Sequence, residues 1–297
     1  MPYNAGKKLL NLLFRMKLFK TSNGIVVEHE QQYYTPGMDI DELINRDNLY
    51  NYLLSSLPGF TKLSSEAIDS FKDTSLLAPV GSQEVWAAGV TYLRSRDARM
   101  EESKESGGAT FYDKVYVAER PELFFKSLPH RVAGSGQEVY IRKDSKWDVP
   151  EPELTLYINS KGNIQAYTVG NDMSSRSIEG ENPLYLPQAK TYEKSAAIGP
   201  CLYIPEQPVS PDTSIHMVIS RSNATVFEGV IQISQMKRTL PELAGFLFRE
   251  MDFPAGAFLM TGTCLVPDND FTLQVDDTVS ITIDNIGTLV NVVRYKG

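Results

Sequence analysis

The stretch Pro-Glu-Pro-Glu-Leu-Thr-Leu-Tyr-Ile, residues 150–158, is typical of an extended strand with two carboxylates near its start. Glu151 and Glu153 are two residues apart, so their side chains lie on the same face of a strand. A turn-like cluster at 159–163 follows, and then a second strand-like run at 164–169. The pattern predicts a β-hairpin.

The register of this hairpin predicts a third carboxylate beside the first two. If residues 161–162 form a two-residue loop, the continued register places Glu151 opposite Asp172 and Glu153 opposite Gly170. Directly opposed residues lie about 4.5–5.5 Å apart. Gly170 has no side chain to crowd the site. The sequence therefore predicts that three carboxylates converge.

Three like charges at one point repel one another unless a cation lies among them. Carboxylate oxygens suit a hard divalent ion, so Glu151, Glu153 and Asp172 are predicted to bind Mg²⁺, with Mn²⁺ as the other possible metal. The alternative interpretation of Glu-x-Glu on a strand is a solvated face, and it stays open at this point.

The composition excludes some classes of partner. The 297 residues have a formal net charge of −8, with 42% hydrophobic and 22% charged residues, which is typical of a globular protein. The acidic balance disfavours nucleic acid and acidic membranes, since both need a basic face. Cys201 and Cys264 lack metal-ligand spacing and predict no disulfide framework, which fits a cytoplasmic location. No apolar run reaches the roughly 18–20 residues of a transmembrane helix.

The order of predicted elements indicates two domains and an α+β fold that is mainly β. Residues 1–15 are predicted to be a poorly ordered extension, 16–78 a small N-terminal α/β domain, and 79–297 a larger catalytic domain of short strands. Helices are predicted at 39–60, 64–71 and 240–251. The charged run at 94–106 is also predicted to be helical, either as a lid or as a surface helix.

Several motifs, taken together and in order, resemble the fumarylacetoacetate hydrolase family. The likeness covers about residues 76–297. It is carried by Trp-Ala-Ala-Gly-Val-Thr-Tyr at 86–92, Pro-Glu-Leu-Phe-Phe-Lys at 121–126, Glu-Pro-Glu-Leu at 151–154, Asn-Asp-Met-Ser-Ser-Arg at 171–176, Lys190 before Ile-Gly-Pro at 198–200, Thr-Gly-Thr at 261–263, and Asn-Ile-Gly-Thr-Leu-Val-Asn at 285–291.

The resemblance implies a β-roll catalytic domain, a homodimer or homotetramer, and Mg²⁺ on the three carboxylates named above. It also implies substrates with a 2-oxo acid head, whose carboxylate and keto oxygens can chelate the metal. Arg176 is implied to help position the site, or to pair with the ligand carboxylates. Thr263 and the backbone around Gly262 resemble the family's carboxylate-binding loop, with an ordinary tight turn as the alternative.

The chain departs from the carbon–carbon hydrolases of this family at the histidine that activates water. Ser95 stands at that position, and Thr91 replaces the preceding asparagine. The chain's three histidines are His29, His130 and His216. Water activation therefore needs another base, which weakens the hydrolase hypothesis.

Three further stretches resemble the branch of the family that contains 2-keto-3-deoxy-D-arabinonate dehydratase. They are residues 179–190, Arg-Pro-Glu at 120–122, and Trp-Asp-Val-Pro-Glu-Pro-Glu at 147–153. That branch also lacks the hydrolase histidine. We therefore predict an Mg²⁺-dependent dehydratase of 2-keto-3-deoxy sugar acids, which works through a metal-stabilised enolate and forms, for example, 2,5-dioxopentanoate.

This chemistry needs a base near C3 and an acid near C4. Lys190 is the candidate base, or stabilises the enolate if it keeps its charge. Glu122 is the candidate acid, with a salt bridge to Arg120 or Lys126 as its alternative role. Tyr185 and Gln188 are candidates for contacts with substrate hydroxyls, although Tyr185 equally fits a core position.

Other functions remain open from the sequence. One is hydrolysis of an acylpyruvate-like diketo acid, with Glu122 as the base for water. Decarboxylation or isomerisation of a 2-oxo acid would use the same enolate. A third class is a catalytically inert metal-binding oligomer, which is disfavoured because an unused cluster of like charges destabilises a fold.

Overall fold

The computed structural model describes residues 15–72, 76–93 and 109–297. Its strands are β1 (Arg15–Thr21), β2 (Gly24–His29), β3 (Gln32–Thr35), β4 (Thr61–Lys62), β5 (Leu76–Leu77), β6 (Glu84–Gly89), β7 (Glu122–Ser127), β8 (Val132–Ala133), β9 (Glu138–Ile141), β10 (Asp148–Val149), β11 (Pro152–Ile158), β12 (Ile164–Asp172), β13 (Ser174–Ser175), β14 (Ala196–Pro205), β15 (Ser214–Arg221), β16 (Ala224–Gln232), β17 (Ala257–Met260), β18 (Thr278–Ile283) and β19 (Gly287–Tyr295).

The helices are short and lie between the strands. They are α1 (Ile40–Ile44), α2 (Leu49–Ser56), α3 (Ser65–Lys72), α4 (Ala109–Val117), α5 (Arg176–Glu181), α6 (Leu186–Lys190) and α7 (Leu240–Leu247). Single 3-10 turns lie at Leu57–Gly59, Pro129–Arg131, Pro183–Tyr185 and Ile233–Gln235. The predicted mainly β class is confirmed. Among these helices none is long and apolar enough to cross a membrane.

The described strands form two large sheets and a two-stranded ribbon. The larger sheet has the order β4-β3-β2-β1-β14-β12-β11-β17-β6-β7, with β5 beside β1 and β8 beside β14. The smaller sheet has the order β16-β15-β18-β19-β9, and β10 pairs with β13. One apolar cluster joins the two sheets, since it contains Leu154 and Val169 of the larger sheet and Met217 and Ile281 of the smaller one.

The opposite face of the larger sheet is also covered. A second cluster packs Tyr157, Phe258 and Met260 of this sheet against Leu43 and Leu53 of the N-terminal helices. Strand β11 is therefore buried on both faces and along its whole length. Glu153 lies within this buried strand and Glu151 directly precedes it, so both carboxylates lie in a buried environment.

The N-terminal strands belong to the same large sheet, because β1 pairs with both β2 and β14. The predicted domain boundary at 78–79 stays a prediction. The prediction that residue 15 belongs to a disordered extension is wrong, because Arg15 begins β1. The rest of that predicted extension, residues 1–14, and the charged run at 94–106 lie outside the described residues. The predicted helix at 39–60 is two helices, because the first ends at Ile44 and Asn48, which has a left-handed backbone (φ 54°), directly precedes the second.

The helix predicted at 240–251 ends at Leu247. Its start is fixed by Thr239, whose hydroxyl accepts from the backbone N–H of Glu242 while the Glu242 carboxylate accepts from the backbone N–H of Thr239. This reciprocal cap satisfies two of the N–H groups that a helix leaves unpaired. The predicted start of the helix is therefore confirmed, and its end is four residues too late.

The β11–β12 hairpin has the predicted register at the carboxylates but a different loop. Backbone N–H of Asn159 donates to the carbonyl of Asn163, so the loop has three residues, 160–162, rather than two. Tyr157 pairs with Ala166 whereas Ile158 pairs with Ile164, which makes Gln165 an extra, bulged residue. The longer loop and the bulge offset each other, and the register beyond them is unchanged.

Candidate active site

The site lies at one end of the larger sheet, on one face of five neighbouring strands. Strands β11 and β7 begin at this end, and β12, β17 and β6 finish there, because β11 is antiparallel to β12 and β17 while β17 is parallel to β6. The end of a sheet leaves side chains and loop backbone free to face a common space. That space is a cavity of about 410 Å³, a volume that includes space open to solvent.

The three carboxylates of the predicted triad all line this cavity. Glu151 and Asp172 exchange two backbone hydrogen bonds of 3.2 and 2.9 Å, and Glu153 pairs with Gly170. Ligand oxygens of Glu151, Glu153 and Asp172 all lie within 4.8 Å of one another. The space beside Gly170 is filled by the Thr155 hydroxyl rather than by the site, so Gly170 makes room for Thr155.

Two cations contact the triad from within the fold. The Lys190 ammonium, 1% exposed, donates to Glu151 Oε2 at 2.5 Å, to Ser174 Oγ at 2.5 Å and to Asp172 Oδ2 at 3.1 Å. Arg176 Nη2 donates to Glu151 Oε1 at 2.6 Å. Arg176 is the first residue of α5 and Lys190 the last of α6, so two short helices deliver both charges. Of the two roles predicted for Arg176, this contact matches the second, in which Arg176 pairs with a ligand carboxylate.

A third cation, Lys126, was not predicted as a site residue. It is fully buried, and its ammonium contacts Asp172 Oδ1 and donates to the carbonyls of Met173 at 2.9 Å and Lys190 at 2.5 Å. The sequence held one signal for it. In a regular strand Lys126 would share a face with Glu122 and Phe124, and Phe124 lines the cavity. In the structure Lys126 is the extra residue at an irregularity in the pairing of β7 with β6. Lys126 therefore ties the carboxylate of one strand to the end of α6.

Burial and neighbouring charges shift the pKa values of Glu153, Asp172 and Lys126. Burial, together with the charges of Asp172 and Glu151, raises the pKa of Glu153 well above its usual value. Burial acts in the same direction on Asp172, but the charges of Lys126 and Lys190 outweigh it and lower the pKa of that carboxyl. Burial also lowers the pKa of Lys126 to about 8, although Asp172 opposes this change.

The predicted carboxylate-binding loop follows β17. The Gly262 N–H donates to Glu153 Oε2 at 2.6 Å, and both Gly262 and Thr263 line the cavity. Gly262 has φ +91°, and a Cβ there would lie 3.0 Å from the Ala88 carbonyl oxygen and 3.1 Å from Thr91 Cβ. Only glycine fits this backbone and this close approach.

The candidate acid Glu122 lies beside the cavity. It begins β7, opposite Gly89 of β6, and its carboxyl group lies against Gly89, which is part of the cavity wall. The predicted alternative of a salt bridge to Lys126 is wrong, because Lys126 pairs with Asp172. Tyr185 and Gln188 are exposed and are not among the cavity residues, so their roles in substrate binding stay predictions.

No histidine lines the cavity. The structure describes all three of the chain's histidines: His29 contacts the Arg15 carbonyl, His130 is exposed, and His216 contacts Glu228 at 3.0 Å on the surface. Ser95, at the hydrolase histidine position, lies outside the described residues. Thr91 donates to the Thr261 carbonyl at 2.8 Å and is fully buried. Its role is to hold the loop after β17.

The donor set fits Mg²⁺. It consists of carboxylate oxygens, which hard divalent ions prefer, and it is buried where water cannot screen the repulsion that raises the pKa of Glu153. A divalent cation between Glu151, Glu153 and Asp172 would relieve that repulsion. The Arg176, Lys126 and Lys190 contacts hold Glu151 and Asp172 in place, and the Gly262 N–H holds Glu153.

Comparisons with known proteins agree with this site. Residues 85–294 match the family model described as fumarylacetoacetate (FAA) hydrolase C-terminal. Over 224 residues, 75% of this chain and 76% of the other, the chain is 47% identical to a Haloferax volcanii protein named probable 2-keto-3-deoxyxylonate dehydratase. Over 226 residues, with the same coverage, it is 41% identical to 2-dehydro-3-deoxy-D-arabinonate dehydratase of Saccharolobus solfataricus.

A solved structure extends the likeness to nearly the whole fold. It is 2-keto-3-deoxy-D-arabinonate dehydratase complexed with magnesium and 2,5-dioxopentanoate, with a TM-score of 0.78 and 31% identity. The match covers 95% of this chain and 99% of that one. This chain belongs to the fumarylacetoacetate hydrolase family.

Proposed function

We propose that this chain is an Mg²⁺-dependent dehydratase of 2-keto-3-deoxy pentonates and forms 2,5-dioxopentanoate. The observation that carries the proposal is the buried triad of Glu151, Glu153 and Asp172 in a cavity without a histidine. The two relatives that are 47% and 41% identical are both named for dehydration of such an acid. The triad suits a 2-oxo acid, whose two adjacent oxygens can share a divalent ion.

The balance of the reaction defines what the site must do. A proton leaves C3, and the C4 hydroxyl leaves as water after it receives a proton. This forms a C3–C4 double bond, which tautomerises to the aldehyde at C5. When bound, Mg²⁺ would act as a Lewis acid toward the carboxylate and C2 ketone and favour negative charge on the ketone oxygen. The protein's own residues must move the two protons.

Lys190 is the group we assign to the C3 side. Its nitrogen has three acceptors, on Glu151, Asp172 and Ser174, which match the three N–H donors of an ammonium. This arrangement supports charge stabilisation at the developing enolate, the second of the two predicted roles. The first role, proton removal from C3, requires that Lys190 give up a proton to reach its neutral form.

Glu122 is the group we assign to the C4 side. It lies at the start of β7, and strands β17 and β6 lie between it and β11, the strand that contains Glu153. An acid so placed can act on C4 while the first two carbons lie at the triad. Gly262 and Thr263, between the two groups, are the candidates for contact with the substrate carboxylate.

Turnover tests the proposal directly. Purified protein with Mg²⁺ and 2-keto-3-deoxy-D-arabinonate or its xylonate-derived equivalent is followed by proton NMR. Appearance of the 2,5-dioxopentanoate aldehyde proton supports dehydration. Pyruvate release from an acylpyruvate, with no change in the sugar acid, would support the hydrolase alternative. Tight Mg²⁺ binding without turnover of either substrate would support the inert alternative.

A second assay separates the two roles of Lys190. 2-Oxobutyrate is a 2-oxo acid with C3 protons but no C4 hydroxyl, so exchange of its C3 protons with D2O reports proton removal alone. Lys190→Arg keeps the charge, whereas Lys190→Gln removes it. If Lys190 only stabilises charge, the arginine variant retains more exchange than the glutamine variant. If Lys190 is the base, exchange is lost equally in both.

The oligomeric state and the location of the protein are expectations. A homodimer or homotetramer and a cytoplasmic location follow from the family and from the composition as expectations for this chain. Size-exclusion chromatography with light scattering, at several protein concentrations, measures the first. Acidic composition also supports the expectation that neither nucleic acid nor a membrane is a partner.

A further inference from the structure

We infer that Gly89 is a positioning residue for Glu122, because its missing side chain lets the Glu122 carboxyl group lie across strand β6 at the wall of the cavity. The inference rests on the proposed dehydratase function, in which Glu122 supplies the proton to the C4 hydroxyl. The glycine of the Gly-Val-Thr-Tyr segment at 89–92 therefore serves to position a catalytic side chain rather than to allow a special backbone conformation.

The pairing of β6 with β7 places the two residues together. Gly89 is directly opposite Glu122 in this antiparallel pair, so both residues lie on the same face of the sheet. A Cβ atom added to Gly89 would lie 2.6 Å from Glu122 Cδ and 3.2 Å from Cγ. The space of the missing side chain is therefore occupied by the Glu122 carboxyl group.

Distance across the sheet explains why this crossing matters. The order β11-β17-β6-β7 puts Glu122 three strands from Glu153, which is about 14 Å at the usual spacing of about 4.8 Å between neighbouring strands. A carboxyl group that stayed over its own strand would be remote from a five-carbon substrate anchored at the triad. By lying over Gly89, it moves about one strand spacing closer.

The backbone does not require glycine at this position. Gly89 is absent from the residues with positive φ, and it lies in a regular strand. The atoms that a Cβ would meet belong to the end of a flexible side chain, which can rotate away. Gly89→Ala should therefore fold and bind metal, and its effect should be a displaced Glu122 carboxyl group.

The first experiment compares wild type, Gly89→Ala, Glu122→Gln and the double variant in the dehydration assay. General acids contribute roughly 10²–10⁴-fold, so Glu122→Gln should lower kcat by at least about 100-fold. Gly89→Ala should lower kcat by at least about 10-fold, and adding it to Glu122→Gln should change kcat by less than about 3-fold. In Gly89→Ala the limb of the kcat–pH profile that Glu122 controls should shift.

Two further readouts separate positioning from a general loss of structure. Mg²⁺ affinity, measured by calorimetry without substrate, and C3 proton exchange of 2-oxobutyrate should both stay within about 3-fold of wild type in Gly89→Ala. Gly245→Ala is the matched control, because Gly245 lies in α7 with open space around its Cβ position. It should change neither dehydration nor exchange.

A thermal cycle tests the same contact if Gly89→Ala folds poorly. Any loss of Tm caused by Gly89→Ala should disappear in a Glu122→Ala background, because the overlapping side chain is then absent. An equal loss of Tm in both backgrounds would show that Gly89 serves the fold and would overturn the inference.

The activity data have their own opposing outcomes. Unchanged dehydration by Gly89→Ala, or a further fall of 10-fold or more when it is added to Glu122→Gln, would also overturn the inference. If the wild-type protein forms no 2,5-dioxopentanoate, the proposed function fails instead. The thermal cycle still decides the contact in that case.

Discussion

Replacing Glu153 by glutamine removes one charge from the triad and keeps its shape. Glu153 is 1% exposed, and its Oε2 accepts from the Gly262 N–H at 2.6 Å, a bond that the amide oxygen of glutamine can keep. The variant should therefore fold with the same loop after β17. What changes is the electrostatic balance among Glu153, Glu151 and Asp172.

The expected changes in metal affinity and in stability have opposite signs. The ligand oxygens lie within 4.8 Å of one another, so an ion among them would be closer than that to Glu153. At an effective dielectric of about 20, the carboxylate and a divalent ion would then attract each other by about 7 kcal/mol or more. Desolvation and the remaining amide oxygen offset part of this, so Mg²⁺ affinity should fall at least about 100-fold, or about 2.7 kcal/mol. The metal-free variant should be more stable, because the raised pKa means that ionised Glu153 destabilises the fold by about 1.4 kcal/mol per pKa unit.

Isothermal titration with Mg²⁺ and thermal unfolding in EDTA, both at pH 8, measure the two effects. At this pH the unfolded carboxyl is ionised, so its burial counts fully against the folded state. We expect weaker binding and a Tm increase of about 2–4 °C for each kcal/mol gained. A lower Tm in EDTA would mean that Glu153 stabilises the fold by its own contacts. Unchanged Mg²⁺ affinity would refute its assignment as a ligand.

Three further outcomes follow from the site. A protonated Glu153 must lose its proton to bind metal, so Mg²⁺ affinity should rise with pH above 4.5, by up to about 10-fold per pH unit, until the pH passes the raised pKa of Glu153. Calorimetric titrations in buffers of different ionisation enthalpy should show proton release. Lys126→Met leaves Asp172 without one of its two cations, and should lower stability by about 3–5 kcal/mol and weaken Mg²⁺ binding; unaltered unfolding and binding would contradict this. EDTA should abolish dehydration and added Mg²⁺ should restore it, whereas activity that persists in EDTA would exclude a metal role.

The triad could be predicted from the sequence because strand register is a local property. Two residues on one strand share a face, and a hairpin fixes what lies opposite. The loop itself was predicted incorrectly, since Asn159 caps it through bonds from Lys161 and Asn163 to its side-chain oxygen. The register survived only because the bulge at Gln165 compensates, and Gln165 accepts from the Leu49 N–H of a remote helix. Such a contact has no signal in local sequence.

The cations around the triad were harder to predict. Lys190 and Arg176 were found through family resemblance, because they come from short helices whose position no periodicity determines. Lys126 was missed because the ammonium of a lysine in an apolar strand usually reaches solvent, whereas here three acceptors offset the desolvation of its charge. Its acceptors, on Asp172, Met173 and Lys190, come together around it only in the complete fold.

The most direct test of the central claim is the position of a divalent ion bound to this protein. Crystals grown with Mn²⁺, which takes the same oxygen ligands as Mg²⁺ and scatters anomalously, locate the ion without reference to activity. We predict one strong anomalous peak ligated by Glu151, Glu153 and Asp172, and its loss in Glu153→Gln. A peak at other residues, with Glu151 and Asp172 still held by Lys126, Lys190 and Arg176, would contradict the account.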